Sequence, residues 1–183
     1  MKYIIEHIEL EMYEWCVIEY RHISKTVGKE NLIFTNIKKG KEKLAGLGEI
    51  KEEPVNQLSL KNACLMEMDG KKTLGSKDKF DYLVFGGILG DHPPQGRTLK
   101  HFKDWKGEKR NLGTVQMSTD NAVMASKLIV EGAEFSKLNF KDEIEIPIEE
   151  GQSVIFPFRY LMINGKPFIS DELVEYLKKT NEF

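Results

Sequence analysis

The sequence predicts an α/β protein: a central, mostly parallel sheet with helices on both faces. Three observations carry this. Strand-like and helix-like periods alternate along the chain. The strongest strand candidate, FDYLVFG at 80–86, is apolar on both faces, as a central strand of a covered sheet must be. No repeat or linker divides the 183 residues, so residues 1–183 are expected to form a single domain around one core.

The elements follow in order. YIIE at 3–6 reads as a short strand, and EMYEWCVIEYRHISKTVG as a helix ending at Gly28. NLIFTNI is a second strand, and KKGKEKLAGL a weak helix interrupted by Gly40. EEPVNQLSLKNACLMEM is compatible with a helix, and DGKKTLGSKDK is a polar, lysine-rich loop. After the central strand at 80–86, LGTVQM is expected as a short strand. Ser118 or Thr119 then caps a helix running to about Gly132. DEIEIPI and QSVIFPFRYLMI read as strands, Asn164-Gly165 turns the chain, and Ser170 caps a last helix, DELVEYLKKT.

Bulk composition excludes several classes. A formal charge of −2 argues against a general polyanion binder, although a local basic patch is compatible with it. No apolar stretch approaches the roughly 20 residues of a membrane span, so no membrane partner is expected. MKYIIEHIEL places glutamates where a signal peptide would be apolar. Cys16 and Cys64 form neither a metal spacing nor a disulfide framework, which suits the cytoplasm; the four histidines are scattered and no metal is expected.

In open α/β sheets a ligand lies beyond the carboxyl ends of the strands. That rule gathers Glu6 and His7, Gly86 to Asp91, Met117 to Asp120, and Phe156 to Arg159 at one rim. The turn GGILGDHPP excludes a P-loop, because Asp-His rather than a lysine follows Gly90. Pro93-Pro94 prevent the helix that a dinucleotide turn would open. Two readings stand: a turn whose backbone meets a ligand, such as an adenosine-containing cation beside Asp91, or a tight turn that needs glycine for positive φ. RNLGTVQMSTDNA has the same character, and it too reads as an ordinary connection or as a second ligand loop.

The first helix carries an anomaly. Its apolar stripe runs Met12, Trp15, Cys16, Ile23, Val27, and Glu19 lies on that stripe. A buried, unpaired carboxylate costs several kcal/mol, so Glu19 must have a partner, be neutral or line a cavity. Arg159 or Arg21 could form an internal ion pair with it. Alternatively, Glu19 and Glu6 together match a guanidinium, whose planar donors pair with carboxylates. Glu9, Glu11 and Glu14, at the helix entry, are accounted for first by the helix dipole.

KYIIEHIE…EWCVIEY, FDYLVFGGILGDHPP, RNLGTVQMSTDNAV and IFPFRYL together resemble a family of small SPOUT-class methyltransferases of archaea and eukaryotes. That family was long regarded as RNA methyltransferases and includes enzymes that methylate an arginine of a small-subunit ribosomal protein. The likeness spans nearly the whole chain, with residues 38–79 matching little. It implies a sheet whose C-terminal half is tied in a trefoil knot, and S-adenosyl-L-methionine as cofactor. Carried over by motif, Phe85, Gly86, Gly87, Ile88, Leu89, Gly90 and Asp91 form one cofactor loop. Arg110, Leu112, Gly113, Met117, Ser118, Thr119 and Ala122 form the second. Glu19 and Glu6 would hold the acceptor guanidinium and take its proton, and Arg159 would place the substrate or the methionyl end. The resemblance implies a monomer acting on a ribosomal protein. The segment 97–110, with six Lys/Arg against two acids and with His101, Phe102 and Trp105 interleaved, offers RNA contact, and RNA as acceptor is the alternative.

Overall fold

The computed structural model describes residues 1–87, 96–149 and 151–180. Six strands form a wholly parallel sheet: β1 (Lys2–His7), β2 (Leu32–Thr35), β3 (Glu49–Ile50), β4 (Ala63–Met66), β5 (Tyr82–Gly87) and β6 (Glu108–Arg110), in the order β3-β2-β1-β5-β4-β6. β1 and β5 are the inner pair. From β1 the chain winds outward through β2 and β3, whereas β4, β5 and β6 fill the other half. The β1/β5 boundary is therefore the switch point beside which ligands sit in such sheets.

Alternation along β1 shows why both faces are covered. Tyr3 and Ile5 enter one apolar cluster with Cys16, Tyr20, Ile23, Leu83 and Phe85, while Ile4 enters another with Ile33, Val55, Leu65, Val84 and Phe102. The first face carries helices α1 (Glu14–Val27) and α3 (Thr119–Val130). The second is closed by short pieces: a 3₁₀ turn at Val55–Gln57, the five-residue helix α2 (Arg97–His101), and Phe102 with Trp105.

Helix α1 ends at Gly28, whose φ of +82° only glycine adopts readily. Its outer side is covered as well. Ile18 packs with Ile144, Ile146, Phe156, Phe158, Tyr160, Leu173 and Leu177, which belong to the antiparallel hairpin β7 (Phe140–Glu149) and β8 (Gln152–Ile163) and to helix α4 (Asp171–Thr180). Being sandwiched makes α1 interior on several sides, so Glu19 is 5% exposed. Asn121, fully buried in α3, ties the hairpin on: its Oδ1 accepts from Leu161 N at 2.8 Å and its Nδ2 donates to Phe168 O at 2.9 Å.

Four expectations are corrected. Ala63–Met66, within the segment read as a helix, is a central strand. LGTVQM is an irregular loop touching the hairpin through one bridge, Met117 to Arg159. KKGKEKLAGL yields only a 3₁₀ turn at Lys41–Leu44. Finally, β7 and β8 form a sheet of their own with β9 (Lys166–Pro167). Among the described residues no helix is long and apolar enough to cross a membrane.

Candidate cofactor cavity and acceptor mouth

In the parallel register, Glu6 lies opposite Gly86 and His7 opposite Gly87, so both inner strands end at the same level. Beyond them opens a cavity of about 170 Å³. Its walls come from four places: the end of β4 (Met66, Glu67, Met68), the end of β5 (Phe85, Gly86), the start of α2 (Gly96, Arg97, Thr98), and the loop 112–117 leading to Thr119 and Ala122 of α3. Thr119 Oγ1 donates to Gly86 O at 3.2 Å, which joins the two glycine-bearing segments directly.

Gly86 and Gly87 are not turn glycines with positive φ; both belong to β5. They are needed for close approach. A Cβ on Gly86 would lie 2.8 Å from the Thr98 side chain, and one on Gly87 would lie 2.5 Å from the Tyr20 hydroxyl and 2.7 Å from Ile5 Cγ2. The Tyr20 hydroxyl lies 3.2 Å from Gly87 O and 2.8 Å from Nδ1 of buried His7. Burial holds the His7 pKa below its ordinary value. Gly113 does have a positive φ, +84°.

Of the residues expected at the cofactor, Phe85, Gly86, Leu112, Gly113, Met117, Thr119 and Ala122 line the cavity. Ile88, Leu89, Gly90 and Asp91 lie outside the described residues. Gly87 packs behind the wall on Tyr20. Ser118 is buried, donating to Asp120 Oδ1 at 2.6 Å, and is the N-cap residue of α3. Arg110 does not reach the cavity. Its guanidinium is taken by Asp78, through two contacts of 3.1 Å, and by Glu108 at 2.7 Å, and it lies 5.1 Å over the Phe80 ring.

The three residues expected to handle the acceptor are placed differently from the expectation. Glu6 is wholly buried and both its oxygens are engaged: Oε2 accepts from Thr35 Oγ1 and from Val55 N at 2.9 Å, while Oε1 meets His101 Nε2 at 2.8 Å. It braces β1 against the second face and presents no open carboxylate. Glu19 pairs with neither Arg21, which meets Glu172, nor Arg159. Its Oε1 accepts from Thr119 N at 3.0 Å and Asp120 N at 3.4 Å, capping α3 from a neighbouring helix. Oε2 has no partner among the described residues. Burial, reinforced by the nearby charge of Asp120, holds the Glu19 pKa well above the usual carboxyl range despite those two N–H groups. Arg159 pairs with Asp142, with Nη2 2.8 Å from Oδ2, and lies 5.5 Å over Phe140. Its backbone N–H, donating to Gln116 O at 2.8 Å, fixes the cavity loop to the hairpin.

Sequence reasoning missed Glu67 and Arg97. Glu67 directly follows β4, a strand that was not expected; its Oε1 accepts from Met68 N at 3.0 Å, its Oε2 lacks a partner among the described residues, and burial raises its pKa. Arg97 stood inside the basic segment 97–110, whose pattern suggested stacking on nucleic acid. Phe102 of that segment is buried, with Trp105 edge-on against it at 6.1 Å, so the aromatic part of the pattern belongs to the core.

A parallel sheet with its cavity at the carboxyl rim, walled by a strand-end glycine and a glycine loop, is the arrangement of a ligand-binding α/β enzyme, and the solved structures that share this fold place it among the SPOUT-class methyltransferases. Comparison with known proteins narrows this: over residues 2–182 the chain belongs to the family described as protein arginine N-methyltransferase SFM1-like. It is 36% identical, over an alignment 202 positions long with its gaps, to protein arginine N-methyltransferase SFM1 of Saccharomyces cerevisiae, covering 98% of this chain and 95% of the relative. The crystal structure of the yeast enzyme complexed with SAM superposes with a TM-score of 0.88 at 34% identity, over 97% of this chain and 90% of that one. The dual-specific Trm10 of Thermococcus kodakaraensis, 12% identical, shares the fold with a TM-score of 0.56 over 75% of this chain and 96% of its own.

Proposed function

We propose that this chain transfers a methyl group from S-adenosyl-L-methionine to an arginine side chain of a small-subunit ribosomal protein. The observation that carries this reading is the cavity, set in a fold shared almost end to end with a yeast arginine methyltransferase solved with SAM. Its walls fit that cofactor. Phe85, Leu112, Val115, Met117 and Ala122 offer apolar surface to a base, Glu67 offers a carboxyl to sugar hydroxyls, and Gly86 and Gly113 let backbone come close. A trefoil path for the C-terminal half is what the resemblance implies, and it forms part of this reading.

When bound, the cofactor supplies a methyl group on a sulfonium sulfur, which keeps the C–S electron pair as the new N–C bond forms. The protein contributes position and electrostatics. Thr119 and Ala122 hold one wall, and Glu19 is a positioning residue that fixes the first turn of α3 and thereby that wall. Arg159 anchors the 116–117 segment through its backbone. The acceptor nitrogen gives up one proton to water or to a carboxylate at the mouth as the new N–C bond forms. Lys100, Lys103 and Lys106 are exposed beside the mouth segment and suit a target embedded in ribosomal RNA.

The test is to incubate the protein with methyl-labelled cofactor and small ribosomal subunits, then divide the product between protease and ribonuclease. Label lost to protease and kept through ribonuclease is expected; label lost to ribonuclease alone would assign the acceptor to RNA.

A further inference from the structure

With Glu6 fully buried on internal donors and Glu19 turned to α3, the acidic group that receives the acceptor must be another. We propose that Glu9 is the carboxylate that seats the acceptor guanidinium, and that Arg97 is an internal stand-in occupying it until the acceptor arrives. This rests on the reading of the chain as an arginine methyltransferase.

Glu9 lies in the connection between β1 and α1, just past the carboxyl end of the inner strand. Its side chain is 11% exposed, so its desolvation is already met in the folded protein. Arg97 Nη1 lies 3.0 Å from both of its oxygens, a chelated guanidinium contact. Arg97 also lines the cofactor cavity. One guanidinium is thus held where an acceptor guanidinium would need to be: on a half-enclosed carboxylate, at the lip of the methyl-donor cavity. Exchanging one guanidinium for another keeps the largely buried carboxylate paired in both the resting and the loaded state. Arg97 is the first residue of a five-residue helix and is 31% exposed at its side chain, so it has solvent to move into. Directly beside Glu9, Leu10 is 90% exposed, an apolar contact for the chain that carries the acceptor.

Two substitutions act in opposite directions under this reading. Glu9→Gln removes the seat and should raise KM for the ribosomal acceptor at least tenfold. Arg97→Gln removes the competitor and should lower that KM several-fold. Calorimetry with S-adenosylhomocysteine should show Glu9→Gln within threefold of wild type, and denaturant melts certify the fold of both variants. Opposite KM shifts, with S-adenosylhomocysteine affinity unchanged in Glu9→Gln, support the proposal. Same-direction shifts, or a tenfold loss of S-adenosylhomocysteine affinity in Arg97→Gln that would assign Arg97 to the cofactor, overturn it. Should wild type methylate no arginine at all, the proposed function fails and this inference with it; if wild type is active while the variants shift KM together, only this inference fails.

Discussion

Glu19 gives the sharpest quantitative expectation, because its two oxygens have opposite circumstances. Oε1 accepts from the backbone N–H groups of Thr119 and Asp120, and Oε2 has no partner among the described residues. Glu19→Ala leaves two buried donors unsatisfied, at roughly 1–3 kcal/mol for a full loss. The 3.4 Å contact counts for less than the 3.0 Å one, and deleting Oε2 brings some relief. The net destabilisation expected is about 1–3 kcal/mol, a fall in Tm of roughly 2–12 °C for a chain of this size. Glu19→Gln keeps the acceptor and is neutral. Because the folded pKa is raised, the folded state of the wild type binds more protons than the unfolded state above about pH 4.3. Wild-type stability therefore falls as pH rises from there to the folded pKa, by up to about 1.4 kcal/mol per pH unit, and the Gln variant lacks this slope. Denaturant melts from about pH 4 to 8.5 should show the two proteins together at the acid end, with Gln increasingly the more stable above it. If the wild type instead gains on the variant as pH rises, Glu19 is a paired anion and the reasoning is refuted.

Other outcomes follow from the same contacts. Gly87→Ala forces a methyl group onto Tyr20 and Ile5 and should cost about 1–3 kcal/mol of stability in denaturant melts. Gly86→Ala, crowding Thr98 on the cavity wall, should instead register mainly as about tenfold weaker S-adenosylhomocysteine binding by calorimetry. Glu6→Ala strips partners from Thr35, His101 and the Val55 N–H and should destabilise by about 3–5 kcal/mol, making it a folding variant rather than a kinetic one. Glu67→Ala should weaken S-adenosylhomocysteine about 5–30-fold, with little further loss for a ligand lacking the ribose hydroxyls; equal losses for both ligands would remove Glu67 from sugar recognition.

What the sequence disclosed depended on how local the determinant was. The stripe on α1 and the acid within it were legible because helical spacing alone puts Glu19 among Cys16, Ile23 and Val27, and the structure buries all four. β5 was legible from its apolar run. β4 was not, since four residues are too few to show a period and its partners β5 and β6 lie far along the chain. Residues 112–117 have strand-forming composition, yet tertiary contacts with the hairpin fix them as a loop. Within the site, glycine at 86 and 87 was readable, but its cause, proximity of Thr98 and Tyr20, was not. The Glu9–Arg97 pair spans 88 positions in sequence, and no spacing rule reaches that far. By sequence Glu9 was accounted for by the helix dipole, and Arg97 by the basic segment 97–110.

Fragment mass spectrometry of small-subunit ribosomal proteins, after incubation with the enzyme and isotopically labelled S-adenosylmethionine, tests the central claim most directly. The account requires the labelled methyl on a guanidinium nitrogen of an arginine. Label confined to another side chain, or to ribosomal RNA with none on protein, would contradict it.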